Sequence, residues 1–185
     1  MQVSETELSG VLLIEPKVFG DERGYFLETW AGPRYRQHGV PVDFVQDNLS
    51  KSRRGTLRGL HLQHPHGQAK LVYVVTGEVF DVAVDVRVGS PTFGRWYGTL
   101  LSETNKRQLF IPAGFAHGFC VSSEEAIFAY KCSEGYHPET ELTIAYDDPD
   151  LAIPWPISAP TLSKKDTGGT RLAAMDRARL PRFAG

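Results

Sequence analysis

The residues with the most reactive side chains lie between positions 55 and 77, in the stretch GTLRGLHLQHPHGQAKLVYVVTG. One arginine, three histidines and one lysine stand there, and an aliphatic and aromatic run at 71–75 favours a strand over a helix. We expect the basic side chains to line a cavity within a sheet. Imidazole titrates close to neutral pH, and burial can bring a lysine there as well. The cluster therefore suits either metal ligation or proton transfer.

Two spacings bear on that choice. His64 and His66, followed by Lys70 and Gly77, have the spacing of the first cupin motif, and IPAGFAH at 111–117 has that of the second, P-x-G-x-x-H. The first motif carries a glutamate where Lys70 stands. A lysine ammonium cannot ligate a divalent ion and would repel one, so we expect no metal site. His64 and His66 are then interpreted as exposed, solvated side chains.

Composition limits the classes of function. The chain has 185 residues, 41% of them hydrophobic, which predicts one sizeable core and a single domain over residues 1–185. A net charge of −2 and the lack of a basic run indicate no nucleic-acid or membrane partner. We find no signal peptide and no stretch near the ~18 apolar residues of a spanning helix, and expect a cytoplasmic protein. Cys120 and Cys132 lie in apolar segments and are expected to be buried free thiols.

Short strands separated by turns dominate the chain. Alternation is clearest at 78–86, where three valines share one face. Together with residues 71–75, this strand is expected to form a hairpin around Thr76 and Gly77. Further strands are expected at 11–14, 25–30, 44–50, 96–101, 107–111, 117–121 and 126–132. So many short strands argue for an antiparallel sandwich or barrel.

Helices are expected to be few. One is predicted at 33–38, ended by Gly39, and a short one near 171–179. From about residue 147 onward the chain is rich in aspartate and proline, which indicates an irregular strap over the barrel.

Blocks along most of the chain carry a resemblance to a known family. They are FGDERGYFLET, FVQDN, GTLRGLHLQ, GQAKLV, GEVFDVAVDVRVGSPTFG, IPAGFAHGF, YKCSEGYHPE and LSKKD, within roughly residues 11–166. In order and spacing they resemble the dTDP-4-dehydrorhamnose 3,5-epimerases. The resemblance implies an all-β, cupin-type antiparallel jelly-roll barrel with a few short helices, assembled as a homodimer. It also implies inversion of C3 and C5 of dTDP-4-dehydro-6-deoxy-D-glucose without a cofactor, giving dTDP-4-dehydro-L-rhamnose.

The same resemblance implies catalytic roles. Inverting a carbon next to a ketone needs a base, a cation that holds the enolate, and an acid on the opposite face. His61 matches the family's base, and Asp166 matches the carboxylate that orients it. Lys70 matches the cation and Tyr130 the acid. A phenol suits that role if neighbouring cations lower its pKa.

Substrate-binding positions also follow from the match. Arg23 and Arg58 are expected near the diphosphate, because forked guanidinium groups bind phosphate oxygens well. Tyr136 is expected to stack on thymine. The other matched positions are Phe26, Glu28, Gln46, Asn48, His117, Glu141 and Lys165. In a homodimer, the strand around residues 23–28 is expected to reach the site of the neighbouring subunit.

Three other functions stay open. Leu62 stands where many family members have an aromatic residue, and the tail after Asp166 has no counterpart in the match. Relatives in antibiotic sugar pathways epimerise only one carbon with nearly the same residues. A metal-dependent cupin enzyme and a catalytically silent sugar-binding cupin are the remaining alternatives.

Overall fold

The computed structural model describes residues 1–184, which form two antiparallel sheets and a separate hairpin. The strands are β1 (Gln2–Glu5), β2 (Leu12–Glu15), β3 (Val18–Asp21), β4 (Gly24–Leu27), β5 (Gln46–Arg53), β6 (Leu57–Gln63), β7 (Lys70–Thr76), β8 (Glu78–Asp85), β9 (Trp96–Ser102), β10 (Gln108–Ile111), β11 (Phe115–Val121), β12 (Glu125–Cys132) and β13 (Glu141–Thr143). The helices are α1 (Gly32–Gln37) and α2 (Lys164–Thr167), with 3-10 turns at Pro138–Thr140, Leu172–Ala174 and Arg177–Arg179. The all-β class expected from the sequence is confirmed.

The strands divide into a six-stranded sheet, ordered β1-β2-β10-β7-β12-β5, and a five-stranded sheet, ordered β13-β6-β11-β8-β9. Within residues 1–184, β3 and β4 pair only with each other. Between the two large sheets lies a core that takes Val72 and Leu109 from the first sheet and Val79 and Phe115 from the second. On the outer face of the six-stranded sheet, Tyr35 of α1 is buried in a separate cluster.

The predicted hairpin between residues 71–75 and 78–86 is wrong. β7 lies between β10 and β12, whereas β8 lies between β11 and β9. Both strands carry apolar side chains on both faces, and each takes a central place in a different sheet. The chain changes sheets at Gly77, whose φ is +81° and where a Cβ would lie 2.1 Å from the Glu125 carbonyl oxygen. Gly77 thus marks the crossing from one sheet to the other rather than a tight hairpin turn.

The C-terminal segment covers the outer face of the five-stranded sheet, as the predicted strap would. Leu151, Leu172 and Leu180 pack there with Val82 and Val84. The helix predicted near 171–179 is wrong, because that segment forms two separate 3-10 turns against the sheet.

The helix predicted at 33–38 is confirmed as α1, while α2 escaped prediction. Cys120 and Cys132 are buried free thiols, as expected. None of the helices in residues 1–184 is long and apolar enough to cross a membrane.

Candidate active site

A cavity of about 430 Å³ is lined by strands of both sheets and by α2. The predicted catalytic residues all line it: His61, Lys70, Tyr130 and Asp166. So do most of the predicted substrate-binding residues: Gln46, Asn48, Arg58, His117, Tyr136, Glu141 and Lys165. Arg23 and Phe26 instead lie on the β3–β4 hairpin, and Glu28 follows it. The structure therefore brings together residues from six strands, one helix and the loop that carries Tyr136, and leaves the hairpin residues apart from them.

A bulge in β6 sets the direction of its polar side chains. Against β11, His61 is opposite His117, but Arg58 is opposite Phe119, so β6 has one extra residue in this interval. Residues three apart on a regular strand point to opposite faces, whereas Arg58 and His61 both line the cavity. The strands approach so closely here that a Cβ on Gly59 would lie 2.5 Å from Gly118 Cα. Only glycine fits at this position.

His61 and Asp166 form a hydrogen-bonded pair inside the cavity. The His61 Nε2 lies 2.6 Å from Asp166 Oδ1. When the imidazole is neutral and donates this Nε2–H to the carboxylate, Nδ1 carries a lone pair and can accept a proton. The carboxylate thereby fixes the tautomer that suits a general base.

Asp166 is itself held on several sides. It is 3% exposed, and Ser163, which precedes α2, donates from Oγ to Asp166 Oδ2 at 2.6 Å. Burial alone would raise the pKa of this carboxyl, but hydrogen bonds from His61 and Ser163 outweigh burial and lower the pKa to about 2. Asp166 is therefore a permanent anion beside the imidazole at neutral pH.

Lys70 begins β7 and is paired with Cys132 of β12. Within residues 1–184, no carboxylate oxygen lies close enough to its ammonium nitrogen to form an ion pair. Burial lowers the pKa of Lys70, while the more distant carboxylates of Glu141 and Asp81 oppose that shift. The ammonium is therefore left to interact with an anionic oxygen in the cavity.

The condition stated for Tyr130, a pKa lowered by neighbouring cations, is not met. Burial raises the pKa of its phenol, and the guanidinium of Arg58 only partly opposes that effect. Tyr130 lies in β12, opposite Asn48 of β5 and Val72 of β7. Its side chain is consequently a protonated phenol at neutral pH, able to donate a proton to a strong base such as an enolate carbon.

A second histidine–carboxylate pair escaped the sequence analysis. His117 Nε2 lies 2.9 Å from Oδ2 of Asp81, which is fully buried in β8. His117 is opposite His61 where β11 pairs with β6, and both residues line the cavity. The signal for Asp81 was an aspartate within an apolar strand, where a buried carboxylate needs a partner.

Ser163 was also missed, although its signal was local. It stands three residues before Asp166 and caps α2, accepting from the Asp166 backbone N–H at 3.2 Å. A serine followed three residues later by an acidic residue is typical of a helix start. The motif would have placed Asp166 in the first turn of a helix, where the structure has it.

Polar contacts gather at the mouth of the cavity. Lys165 Nζ donates to both carboxylate oxygens of Glu141 at 2.9 Å, and the Tyr136 hydroxyl donates to Glu141 Oε2 at 3.0 Å. On another wall, the Arg58 guanidinium donates to Ser52 Oγ at 3.1 Å. These cations and donors suit an anionic, hydrogen-bonding ligand.

The histidines of the first cupin motif stay outside this set. His66 is exposed, as predicted, and its ring stacks on that of His137 with centroids 4.3 Å apart. His64 is half-buried, so the expectation of an exposed residue is wrong for it, and its backbone N–H donates to the Thr140 carbonyl at 3.1 Å. Among residues 1–184, no three His, Cys, Asp or Glu side chains are grouped to hold a metal ion.

Comparison with known proteins places this arrangement in a family. The family model described as dTDP-4-dehydrorhamnose 3,5-epimerase matches residues 5–174, so the match extends past Asp166 into the tail. The dTDP-4-dehydrorhamnose 3,5-epimerase of Shigella flexneri is 53% identical over 178 residues, covering 95% of this chain and 98% of that protein. The dTDP-4-dehydrorhamnose 3-epimerase of Streptomyces niveus is 43% identical over 187 residues, covering 100% of this chain and 90% of that protein.

A solved structure agrees over the whole chain. The dTDP-6-deoxy-D-glucose-3,5-epimerase of Legionella pneumophila, in complex with dTDP-4-keto-L-rhamnose, has a TM-score of 0.97 and 52% identity. The match covers 100% of this chain and 99% of that one, and it confirms the predicted cupin-type fold. With most of the chain matched by the family model and relatives above 50% identity, this chain belongs to the dTDP-4-dehydrorhamnose 3,5-epimerase family.

Proposed function

We propose that this chain inverts C3 and C5 of dTDP-4-dehydro-6-deoxy-D-glucose and produces dTDP-4-dehydro-L-rhamnose. The observation that carries the proposal is a single cavity with an Asp-oriented imidazole, an ammonium and a protonated phenol on its walls. These groups are the base, the enolate-stabilising cation and the acid that epimerisation next to a ketone requires. The activities named for the relatives support the same reaction.

In the proposed reaction, His61 Nδ1 removes the proton from the carbon next to the C4 ketone. The electron pair of that C–H bond moves to form the C–C double bond of an enolate, and the ketone oxygen becomes negative. The Lys70 ammonium stabilises this oxygen, and Asp166 stabilises the imidazolium. Tyr130 then donates its proton to the opposite face of the carbon. Exchange with solvent afterwards removes the proton from His61 and returns one to Tyr130. No atom is gained or lost, so the step is an isomerisation.

The rest of the cavity would bind the nucleotide. We assign the diphosphate to the guanidinium of Arg58 and thymine to the ring of Tyr136. His117, Gln46 and Asn48 complete the polar wall; the Gln46 amide donates to Asn48 Oδ1 at 2.9 Å, which fixes both side chains before the substrate arrives.

The β3–β4 hairpin supports a homodimer. Phe19, Tyr25 and Phe26 are exposed on it, Phe26 to 69%. Large exposed rings on a two-stranded hairpin are typical of a protein–protein contact. A partner subunit would cover these rings, and Arg23, Phe26 and Glu28 would then contribute to the site of that subunit.

We treat the whole chain, 1–185, as one epimerase domain whose strap and tail begin at about residue 147. Leucines of the strap belong to the cluster on the outer face of the five-stranded sheet. The cytoplasmic location stays a prediction.

Deuterium exchange tests the proposed reaction. Incubation of the protein with dTDP-4-dehydro-6-deoxy-D-glucose in deuterated water should label C3 and C5, as mass spectrometry and NMR would detect. Label at one carbon only would indicate single rather than double epimerisation; a 3-epimerase is the activity named for the Streptomyces niveus relative. No label at either carbon would contradict the proposed reaction and favour a catalytically silent sugar-binding protein.

Two variants separate the base from the acid. His61→Ala should abolish both epimerisation and exchange, because no enolate forms. Tyr130→Phe should slow epimerisation by roughly 10²–10⁴ while His61 still exchanges a proton on one face. Deuterium would then enter unepimerised substrate faster than product forms. Normal epimerisation by Tyr130→Phe, or exchange at the wild-type rate by His61→Ala, would contradict these assignments.

A further inference from the structure

Tyr136 stands on an irregular loop, residues 133–137, at the mouth of the cavity. Its ring is 54% exposed, and its hydroxyl is bonded to Glu141 at 3.0 Å. A side chain this exposed loses conformational freedom when a base stacks on it, and that loss weakens binding. Stacking is therefore strongest if the loop is fixed before the ligand arrives.

Gln63 fixes the loop on both sides of Tyr136. Its carboxamide is 5% exposed at the end of β6, and Nε2 donates to the Gly135 carbonyl at 3.1 Å. The same nitrogen donates to the His66 carbonyl at 2.9 Å, while Oε1 accepts from the His137 backbone N–H at 3.0 Å. The residues immediately before and after Tyr136 are thus bonded to one buried side chain.

Gln68 holds the same loop from another direction. Its Nε2 donates to the Glu134 carbonyl at 2.9 Å and to the Gly135 carbonyl at 3.1 Å. A carbonyl oxygen has two lone pairs, and the Gly135 oxygen accepts one hydrogen bond from each glutamine. The two carboxamides therefore meet at the residue that precedes Tyr136.

We propose that Gln63 and Gln68 are positioning residues that hold Tyr136 in place for the nucleotide, and so set the affinity of the enzyme for the dTDP part of its substrate. This inference rests on the thymine-stacking role given to Tyr136 under the proposed function. Gln63 acts through the loop, since its hydrogen bonds go to main-chain atoms and it is not among the residues lining the cavity. Gln68 lines the cavity as well, so Gln63 gives the cleaner test.

The test measures binding of dTDP by calorimetry, together with KM and kcat, for the full-length variants Gln63→Leu and Tyr136→Ala. Tyr136→Ala should weaken dTDP roughly 5- to 100-fold, the usual effect of losing one stacked base. Gln63→Leu should weaken dTDP by a smaller factor and raise KM by that factor, with kcat changed less than about threefold.

Asn105→Leu is a matched control. The Asn105 carboxamide also makes three bonds to main-chain groups, accepting from Ser102 and Arg107 N–H and donating to the Leu100 carbonyl. It holds the turn between β9 and β10, so its loss should lower the melting temperature without changing dTDP affinity. If Gln63→Leu does not fold, Gln63→Glu replaces it, because a carboxylate accepts from His137 but cannot donate to the two carbonyls.

A double-mutant cycle decides whether the effect passes through Tyr136. In the Tyr136→Ala background, Gln63→Leu should change dTDP affinity no further. Additive losses would overturn the inference, and so would unchanged affinity in Gln63→Leu beside a loss in Tyr136→Ala. If Tyr136→Ala itself binds dTDP normally, both the stacking role of Tyr136 and the positioning role of Gln63 and Gln68 are wrong. Deuterium exchange at C3 and C5 would still report separately whether the proposed reaction stands.

Discussion

The carboxylate of Asp166 offers a sharp quantitative test of the proposed site. Asp166→Asn keeps the shape of the side chain and removes its charge. The pKa of this carboxyl is about 2, against 3.8 for an unperturbed aspartate. Because Asp166 is 3% exposed, solvent screens the interaction little. The lowered pKa corresponds to roughly 2 kcal/mol of folding stability at neutral pH, which the variant should lose.

The sign of the pH dependence follows from the direction of the shift. The folded protein holds the carboxyl ionised to a lower pH than the unfolded chain does. The stabilisation is therefore fully present above about pH 4 and disappears as the pH falls through 4 toward 2. The difference in unfolding free energy between wild type and Asp166→Asn should be largest at pH 7 and fall to roughly half near pH 3.

Urea unfolding at several pH values, followed by tryptophan fluorescence, measures this difference. Asp150→Asn is the control, because Asp150 is exposed and its removal should leave stability within about 0.5 kcal/mol of wild type. In the epimerase assay at pH 7, Asp166→Asn should lose roughly 10²–10⁴ in kcat, since no carboxylate stabilises the imidazolium. A stability difference of the same size at pH 7 and pH 3 would refute the reasoning.

Three shorter predictions test other parts of the molecule. Lys70→Met should lower kcat by roughly 10²–10³-fold. It should not lower the urea midpoint, because burial disfavours the ammonium that the substitution removes. An unchanged kcat would show that Lys70 has no part in the mechanism. Gly77→Ala should lower the free energy of unfolding by about 2 kcal/mol or more, since its Cβ would lie 2.1 Å from a carbonyl oxygen. Gly135→Ala is the control: its Cβ would have no neighbour within 4 Å, so this variant should unfold like wild type. In light scattering, Phe26→Asp should convert the proposed dimer to a monomer, and this monomer should be less active in the epimerase assay; a fully active wild-type monomer would contradict the proposed dimer.

The strands were the most predictable part of the fold. β7, β9 and β12 were located within one or two residues, because each is an apolar run bounded by glycine or polar turns. β5 runs to Arg53, beyond the strand predicted at 44–50, because pairing with β12 keeps this polar segment extended. The strand propensity of a segment carries no information about the strand with which it will pair.

The pairing of strands and the direction of side chains were less predictable. Thr76-Gly77 has the composition of a hairpin turn, yet the contact with the Glu125 carbonyl that decides its path comes from a strand about 50 residues later. Likewise Arg58 and His61 share a face only because β6 is bulged against β11. Family resemblance supplied the residues of the site, whereas the backbone geometry that groups them required the structure.

Asp81 connects two sides of the cavity, those of Lys70 and His117. Lys70 stands where the first cupin motif has a glutamate, and it can hold an enolate only while it is charged. Burial works against that charge, and the carboxylates of Glu141 and Asp81 work for it. Asp81 also binds His117 at 2.9 Å, on the strand that pairs with His61. One fully buried carboxylate thus supports both the ammonium and an imidazole of the wall, so a change at Asp81 would reach the proposed enolate site through Lys70 and His117.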